Sequence, residues 1–301
     1  MIWVGLVIYM GVFKVTQVRD LWAIDPEYPK HSISLFMGQK RWEQLKRFFH
    51  TSPPLEGVKR QVFEKIEPLT TPLGEAFRKY VIPGSMVSFN KMMVRFTRRS
   101  TATIKLPGKP VPEGFKILSL CQYGYCYSFM FTSPGCFFGL PSRIDHQDIV
   151  LSKTSKYVLY LTRQLPLQAC RFCLFLDNYF TNIPLLQVLR RLGIAAAGTA
   201  RSNSKDYPEV YKRVDKRKER LPFNFITGVV VNSVLSIVWQ DKNLVRFLTT
   251  AHSYSNKDVN EVNRRRPRAY NSFLKKLVAD VWGDDLIKKL TLPRLSIDYN
   301  N

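Results

Sequence analysis

One carboxylate, Asp177, stands where a buried strand is expected to end. It follows the apolar run CLFL at 173–176 and precedes NYFTNIPLLQVL, which has the pattern of an amphipathic helix. An acid at that place has two ordinary roles. It stabilises the start of the next helix, or it is one ligand of a metal site whose other ligands lie elsewhere in the chain. The residues alone leave both roles open.

The histidines and cysteines give no independent support for a metal site. The four histidines show no metal-ligand spacing relative to one another. Cys170 and Cys173 form a CxxC pair, but residues three apart in a strand-like run point to opposite faces, which favours buried free thiols over zinc ligands. The odd number of cysteines favours a reducing compartment over a disulfide framework; they are Cys121, Cys126, Cys136, Cys170 and Cys173.

The charge balance predicts a polyanionic partner. The 301 residues include 46 Lys and Arg against 23 Asp and Glu, a formal net charge of +23. Such an excess favours nucleic acid first and an anionic membrane surface second. At 45% hydrophobic residues the chain can bury a sizeable core. The apolar start up to Lys14 is too short to span a bilayer and lacks a secretory signal. Because the chain begins inside a hydrophobic helix, we interpret it as a domain whose upstream part is missing.

The elements around Asp177 are predicted from periodicity and turn residues. Residues 1–50 read as helices, and three β-branched and aromatic runs between 85 and 133 predict adjacent antiparallel strands. TSKYVLYLTRQL predicts a helix, RFCLFLD a strand buried on both faces, IPLLQVLRRLG a helix with Thr181 or Asn182 as its cap, and IAAAGTAR a further strand. The 225–253 segment predicts short strands, and the C-terminal part a loop, a short helix and an extended tail.

These elements predict an α/β layer architecture in four parts. The parts are an N-terminal helical region at 1–80, the core at 81–204, a basic segment with a β-rich insertion at 205–260, and a basic loop with a truncated C-terminal part at 261–301.

Several segments in order resemble the piggyBac-type DNA transposases. VSFNKMMVRFTRRSTATIKLPGKP is similar to the family's V-S-x-D-E-x-M-x-x-F-x-G-R-S motif with its following x-P-x-K-P. DNYFTNIPLLQVLRRLGIAAAGTARSN resembles the second acidic motif D-N-[FWY]-F-T-S and the downstream G-T-x-R. GLVIYMGVFKVTQVRDLWAID, VWQDKNLVRFLTTAHS and the C-terminal VWGDDLIKKLTLPRLSIDYN are also similar to family segments.

The resemblance implies an RNase H-like mixed-sheet core with flanking helices. In the family three acids hold two Mg²⁺ ions, which activate water or a DNA 3′-hydroxyl for attack on a phosphodiester. Magnesium requires oxygen ligands in near-octahedral geometry, and two such ions clamp the attacking and leaving oxygens. The family moves DNA by cut and paste at TTAA targets, with no cofactor other than the metal.

Carried over residue by residue, the motifs leave one acid in place. The second acid falls on Asp177, the first on Asn90 and the Glu that follows it on Lys91, while the third would lie beyond Asn301. Arg98 replaces a family glycine. We therefore expect a truncated relative in which Asp177 is a weak or lost metal ligand, no Mg²⁺ is bound tightly, and strand transfer is absent. Whether the chain is an enzyme at all stays open.

The expected partner is DNA, gripped through its phosphates. The alternatives are an active metal-dependent transposase or nuclease, and an interaction scaffold that reuses the fold. The family also implies a homodimer, a nuclear location and no membrane partner. Asp241, in WQDKN, is interpreted as a solvated turn rather than a substitute acid. The predicted phosphate-binding residues are Arg95, Arg98, Arg99, Lys105, Lys109, Arg201, Lys212, Arg213, Lys216, Arg217, Lys218, Arg264, Arg265 and Arg266.

Overall fold

The chain forms two compact units, Met1–Thr70 and Thr71–Asn301. The computed structural model describes residues 2–53, 57, 62–132, 148–216, 221–253, 259–269 and 272–300. The predicted four-part division, with boundaries at 80, 204 and 260, stays a prediction.

The first unit is helical, as its sequence predicts. A small apolar cluster of Leu6, Leu21, Ile33 and Trp42 holds it together, since each of these side chains is buried. The Trp22 indole N–H donates to the Met37 carbonyl at 2.8 Å, which joins two of the short helices. The helices are α1 (Ile2–Val12), a 3₁₀ turn (Val18–Trp22), α2 (Ile33–Phe36), α3 (Gln39–Phe48) and the start of α4 (Glu67–Tyr80).

The second unit is built on one mixed β-sheet with helices packed against it. Its strands are β1 (Met86–Arg95), β2 (Ile104–Lys105), β3 (Glu113–Gln122), β4 (Tyr125–Thr132), β5 (Cys173–Leu176), β6 (Ala195–Thr199), β7 (Ile226–Val231), β8 (Val234–Gln240) and β9 (Leu244–Thr249). The helices among them are α5 (Lys153–Thr162), α6 (Ile183–Arg191) and α7 (Glu209–Lys216).

The order of the strands explains how distant segments meet. Among the described residues the sheet has nine strands. Eight of them run in the order β2-β3-β1-β5-β6-β9-β8-β7, and the ninth, β4, pairs with the outer side of β3. β1, β3 and β4 are antiparallel neighbours, as predicted, whereas β5 is parallel to both β1 and β6. β7–β9, the predicted β-rich segment, join the same sheet because β9 pairs with β6.

The main core lies between the sheet and helices α5 and α6. Four side chains are fully buried there: Val158, Leu174, Leu185 and Leu189. Along β5 buried and half-buried residues alternate, so the opposite face of this strand is only partly exposed. α6 begins as predicted: the Asn182 side chain accepts from the Leu185 amide at 3.0 Å, so Asn182 rather than Thr181 is the cap.

The C-terminal segment differs from the expected loop and extended tail. β10 (Val259–Arg265) pairs with β11 (Ile287–Pro293), and between them lies α8 (Ser272–Trp282). The predicted tail is a helix, α9 (Arg294–Asn300), because Leu295 is buried in a second core with Trp282. Among the described residues, none of the helices has the length and apolar character that crossing a membrane requires.

Candidate functional site

Asn90 and Asp177 lie at the same level of two adjacent strands. β1 and β5 run parallel with Phe89 beside Leu176, so the next residue of each segment is Asn90 and Asp177. The hydrogen-bonded pairing of these strands places backbones about 4.8 Å apart. The two positions that the motifs single out are therefore brought together, although 86 residues separate them.

Both carboxylate oxygens of Asp177 already bind other groups of the protein. The Lys91 ammonium lies 3.2 Å from Oδ2 of Asp177, and the Asn178 amide donates to Oδ1 at 2.6 Å. The carbonyl of Asp177 accepts from the amides of Phe180 and Thr181, which closes a turn before α6. Asp177 thus shapes the turn after β5, but the helix itself is capped by Asn182, so the helix-start interpretation of this acid is not what the structure shows.

Asn90 provides no second negative charge. Its side chain is exposed, and its amide nitrogen donates to the Ser88 hydroxyl at 3.0 Å. The amide oxygen is a neutral ligand at best, and the neighbouring Lys91 brings a positive charge to the carboxylate instead. The first and second positions together carry no net negative charge once Lys91 is counted.

Three cations surround one aromatic ring beside Asp177. The charged groups of Lys91, Lys116 and Arg201 lie 4.9, 5.1 and 6.0 Å from the centroid of the Tyr179 ring. We call Lys91, Lys116, Tyr179 and Arg201 the Tyr179 cluster. Burial lowers the pKa of Lys116, and the positive charges of Lys91 and Lys153 lower it further. The cluster is electropositive, because Asp177 supplies a single carboxylate against three cations.

A cavity of about 270 Å³ opens on the Arg201 side of the cluster. Its lining combines cations with neutral donors: Ser152, Asn178, Tyr179, Asn182, Arg201, Ser204 and Lys205 are among its residues. No described Asp or Glu lines it. Arg201 is held in place because its Nε–H donates to the Asn178 side-chain oxygen at 3.2 Å. Such a lining suits a phosphate group, which accepts hydrogen bonds and carries negative charge.

The magnesium site that the resemblance implies does not fit these residues. Two divalent ions need several carboxylate oxygens, and here a single carboxylate is paired with a lysine. Within the described ranges, no group of three His, Cys, Asp or Glu side chains could hold a metal ion. Lys116 and Arg201 add further repulsion to any cation that approaches Asp177.

The predicted cations from 95 to 109 lie at the end of β1 and after it. Arg95 pairs with Gly114 while Met93 pairs with Lys116, so Arg95 is a diagonal neighbour of Lys116 of the Tyr179 cluster. Lys105 pairs with Glu113 at 3.8 Å on the neighbouring strand. All of the predicted residues in this segment are exposed: Arg95, Arg98, Arg99, Lys105 and Lys109.

Arg264 and Lys212, two predicted phosphate-binding residues, form ion pairs within the protein. Both guanidinium nitrogens of Arg264 bind Asp241, at 2.7 and 3.2 Å, and its guanidinium lies 5.5 Å from the Trp239 ring centroid. Asp241 is in a turn, but its side chain is only 20% exposed, so the expected solvated acid is an internal ion-pair partner. Lys212 pairs with Glu209 within α7.

The structure describes the side chains of some of the remaining predicted cations but not those of the others. Arg265 is exposed on β10 and Arg266 is half-buried after it. Arg217 and Lys218 lie outside the described residues, as do the side chains of Arg213 and Lys216. The binding roles of these residues stay predictions.

Sequence reasoning missed Lys116 and Lys205 as members of the site. Lys116 pairs with Met93, which lies on the same face of β1 as Lys91, so the two lysines are diagonal neighbours across two antiparallel strands. That relation could have been inferred from the register of β1 and β3. Nothing in the sequence near Lys205 distinguishes it from other surface lysines.

Comparisons with known proteins agree with the resemblance. A family model described as Transposase IS4 matches residues 1–289. Human PiggyBac transposable element-derived protein 2 is 26% identical over 251 residues, covering 82% of this chain and 41% of the relative. Human PiggyBac transposable element-derived protein 3 is 24% identical over 287 residues, covering 90% of this chain and 46% of the relative. The chain thus spans less than half the length of these curated relatives.

A solved structure shares the fold. The cryo-EM structure of a piggyBac transposase synaptic complex with hairpin DNA matches with a TM-score of 0.68 at 19% identity, over 85% of this chain and 53% of that chain. A likeness of this kind shows the fold, so the RNase H-like core expected from the sequence is confirmed.

Proposed function

Because this chain belongs to the IS4/piggyBac transposase family, we propose that it is a DNA-binding protein that keeps the transposase fold without the metal-dependent chemistry. The observation that carries the proposal is the ion pair between Lys91 and Asp177. It puts a protein cation against the only acid that the two motif positions retain.

The loss of chemistry follows from charge. Strand transfer by two metal ions depends on carboxylates that hold the ions and on the ions' stabilisation of the attacking and leaving oxygens. With Asn90 at the first position and Lys91 paired to Asp177, the local charge at these positions is neutral rather than strongly negative. A Mg²⁺ ion would have to displace the lysine and then bind a single carboxylate.

DNA affinity is supported by the Tyr179 cluster and the cavity beside it. Arg201 and Lys205 offer charged donors to a phosphate, while the Ser204 hydroxyl already donates to the Thr181 carbonyl at 3.3 Å. The solved relative is a complex with hairpin DNA, which gives the same fold a precedent for such a partner. Phosphate contacts carry no sequence information, so the binding is expected to be sequence-independent and to weaken steeply with salt.

A nicking assay tests the loss of chemistry. We expect no cleavage of terminal-repeat DNA by the purified chain with Mg²⁺ or Mn²⁺. The Asn90→Asp/Lys91→Glu variant, which restores the motif acids, should bind Mn²⁺ more tightly than the native chain. Metal-dependent nicking by the native chain that is lost in Asp177→Ala would instead establish the active nuclease or transposase alternative.

A binding titration tests the DNA contact separately. The logarithm of the association constant for a duplex should fall linearly with the logarithm of salt concentration, with a slope of about −0.9 per phosphate neutralised. Arg201→Ala should make that slope shallower by about one unit, whereas Lys275→Met, on an exposed position of α8, should leave it unchanged. A native chain that binds no duplex even in low salt would favour the scaffold alternative.

We also propose where the chain is located, how it assembles and whether it binds a metal cofactor. A +23 chain that binds DNA is expected in the nucleus, as a homodimer on its target and without tightly bound Mg²⁺. Imaging of the tagged chain, light scattering with and without duplex, and elemental analysis of the purified protein measure these three properties.

A further inference from the structure

The β3–β4 hairpin places two cysteines face to face. Its turn is the two-residue loop Tyr123-Gly124, with φ values of 46° and 80°. Positive φ at both central residues is the type I′ geometry, whose twist matches that of the flanking strands. Next to the turn Gln122 pairs with Tyr125, and the following pair is Cys121 opposite Cys126.

The pairing brings the two thiols within bonding range. Residues bordering a two-residue turn form a hydrogen-bonded pair, and such pairs alternate with non-hydrogen-bonded ones. Cys121 and Cys126 therefore occupy a non-hydrogen-bonded pair, in which the Cα atoms are about 4.5 Å apart and the side chains are closest. That separation lies within the range of about 4.4–6.8 Å that disulfides span.

The two sulfur atoms already interact. The contact with the Cys126 side chain lowers the pKa of Cys121, the same contact and burial raise the pKa of Cys126, and the Cys126 thiol donates to the Ser128 carbonyl at 3.6 Å. Both residues are half-buried, and the adjoining Tyr123 is 90% exposed, so the hairpin end is open to solvent over the described residues. One member of the pair is thus a thiolate-prone nucleophile and the other holds the proton.

Cys173 provides the contrast within the same chain. Burial, with a smaller contribution from the charge of Asp298, raises its pKa to about 11. A thiol of this kind is protonated at neutral pH and reacts slowly, because the thiolate is the nucleophile. Its CxxC neighbour, Cys170, is a free thiol as predicted, but both cysteines are half-buried rather than buried.

We propose that Cys121 and Cys126 are a reversible redox site, closed by exchange with a low-molecular-weight disulfide such as oxidised glutathione. The Cys121 thiolate attacks one sulfur of that disulfide, forming a mixed disulfide and releasing one glutathione thiolate. Cys126 then loses its proton to water and attacks the Cys121 sulfur, releasing the second glutathione. Two protein thiols are oxidised to one disulfide, and one glutathione disulfide is reduced to two thiols.

Hydrogen bonds link Cys121 to the strand that carries Asn90. The Ser88 hydroxyl donates to the Cys121 carbonyl at 3.2 Å and accepts from the Asn90 amide at 3.0 Å. The two contacts form a short hydrogen-bond path from the hairpin to the first motif position.

Peptide mapping of the native chain tests the proposal directly. The chain is equilibrated with mixtures of reduced and oxidised glutathione, quenched with acid and alkylated. It is then cut with chymotrypsin, which cleaves after Tyr123 or Tyr125 and so separates the two cysteines. We expect the peptides containing Cys121 and Cys126 to be recovered joined, with the loss of two hydrogens and full reversal in excess dithiothreitol. Cys170 and Cys173 should stay alkylated throughout.

Variants exclude a contribution from Cys136, the next cysteine along the chain, and from general unfolding. Cys136→Ser should leave the joined peptides unchanged, and Cys126→Ser should convert the product to a glutathione adduct on Cys121. Circular dichroism of each variant verifies that the fold is retained. Recovery of Cys121 and Cys126 as separate alkylated peptides in fully oxidised glutathione, or of either one joined to Cys136, would overturn the proposal.

Discussion

Lys91 and Asp177 allow a quantitative test of the replaced metal site. Their charged groups are 3.2 Å apart, and their side chains are 22% and 39% exposed. Coulomb attraction at that distance is about 1.3 kcal/mol in a water-like dielectric and about 5 kcal/mol at an effective dielectric of about 20. Solvent exposure and side-chain entropy reduce the net value, since measured pairs of this type contribute roughly 0.2–1 kcal/mol. We expect a coupling free energy near the upper end, about 1 kcal/mol.

A double-mutant cycle isolates that coupling. The native chain, Lys91→Met, Asp177→Asn and the double variant are unfolded in urea and followed by circular dichroism, with Lys275→Met as a surface control. The cycle should give about 1 kcal/mol at low salt, and the coupling should shrink as salt screens the partly exposed pair. A coupling indistinguishable from zero at low salt would refute the counter-ion reasoning.

The same unfolding experiment, repeated with Mg²⁺, tests whether Asp177 binds metal. A ligand present at about 100 times its dissociation constant stabilises the folded state by about 2.7 kcal/mol. Because Lys91 already satisfies Asp177, 10 mM Mg²⁺ should produce no stabilisation of that size in the native chain. A stabilisation of about 2 kcal/mol that disappears in Asp177→Asn would show that the ion displaces the lysine and that the acid still binds metal.

Three substitutions test the surrounding fold by urea unfolding. Asn182→Ala should cost about 1 kcal/mol by removing the cap of α6, and Asn182→Asp should restore most of it; equal stability of both would contradict the capping role. Gly198→Ala should cost about 1–3 kcal/mol, because its Cβ would lie 2.4 Å from the Leu176 carbonyl oxygen; a neutral effect would mean that the strands separate freely. Arg264→Ala should cost roughly 1–3 kcal/mol by leaving a largely buried carboxylate unpaired, whereas Arg265→Ala should stay within about 0.5 kcal/mol; equal costs would refute the internal ion pair.

Local sequence patterns predicted the elements that carry strong local signals. β5 and α6 followed from an apolar run, an Asn cap and a terminal glycine, Gly193, whose φ of 75° suits the helix exit. The C-terminal helix α9 was missed because tertiary contacts determine it. Leu295 is buried in a distant core, and the Tyr299 hydroxyl donates to the Leu176 carbonyl at 3.2 Å.

The motifs predicted which residues form the site, but not which contacts those residues make. The motifs identified Asn90 and Asp177, and they placed Lys91 where the family has a Glu. The ion pair itself depends on the parallel register of β1 and β5, which the sequence does not specify. Arg264 shows the reverse case: its place in a basic run indicated a free cation, and only the fold reveals the acid it binds.

The neighbours of β6 have a consequence for the chain during synthesis. β6 (Ala195–Thr199) pairs on one side with β5, made earlier, and on the other with β9 (Leu244–Thr249), made later. At about 5–20 residues per second, the ribosome needs roughly 3–10 seconds to supply that second partner. During this interval one edge of the nascent sheet offers unpaired amides and carbonyls to any passing strand. A chaperone that covers this growing edge is therefore expected to raise the yield of folded protein, and slower elongation is expected to lower it.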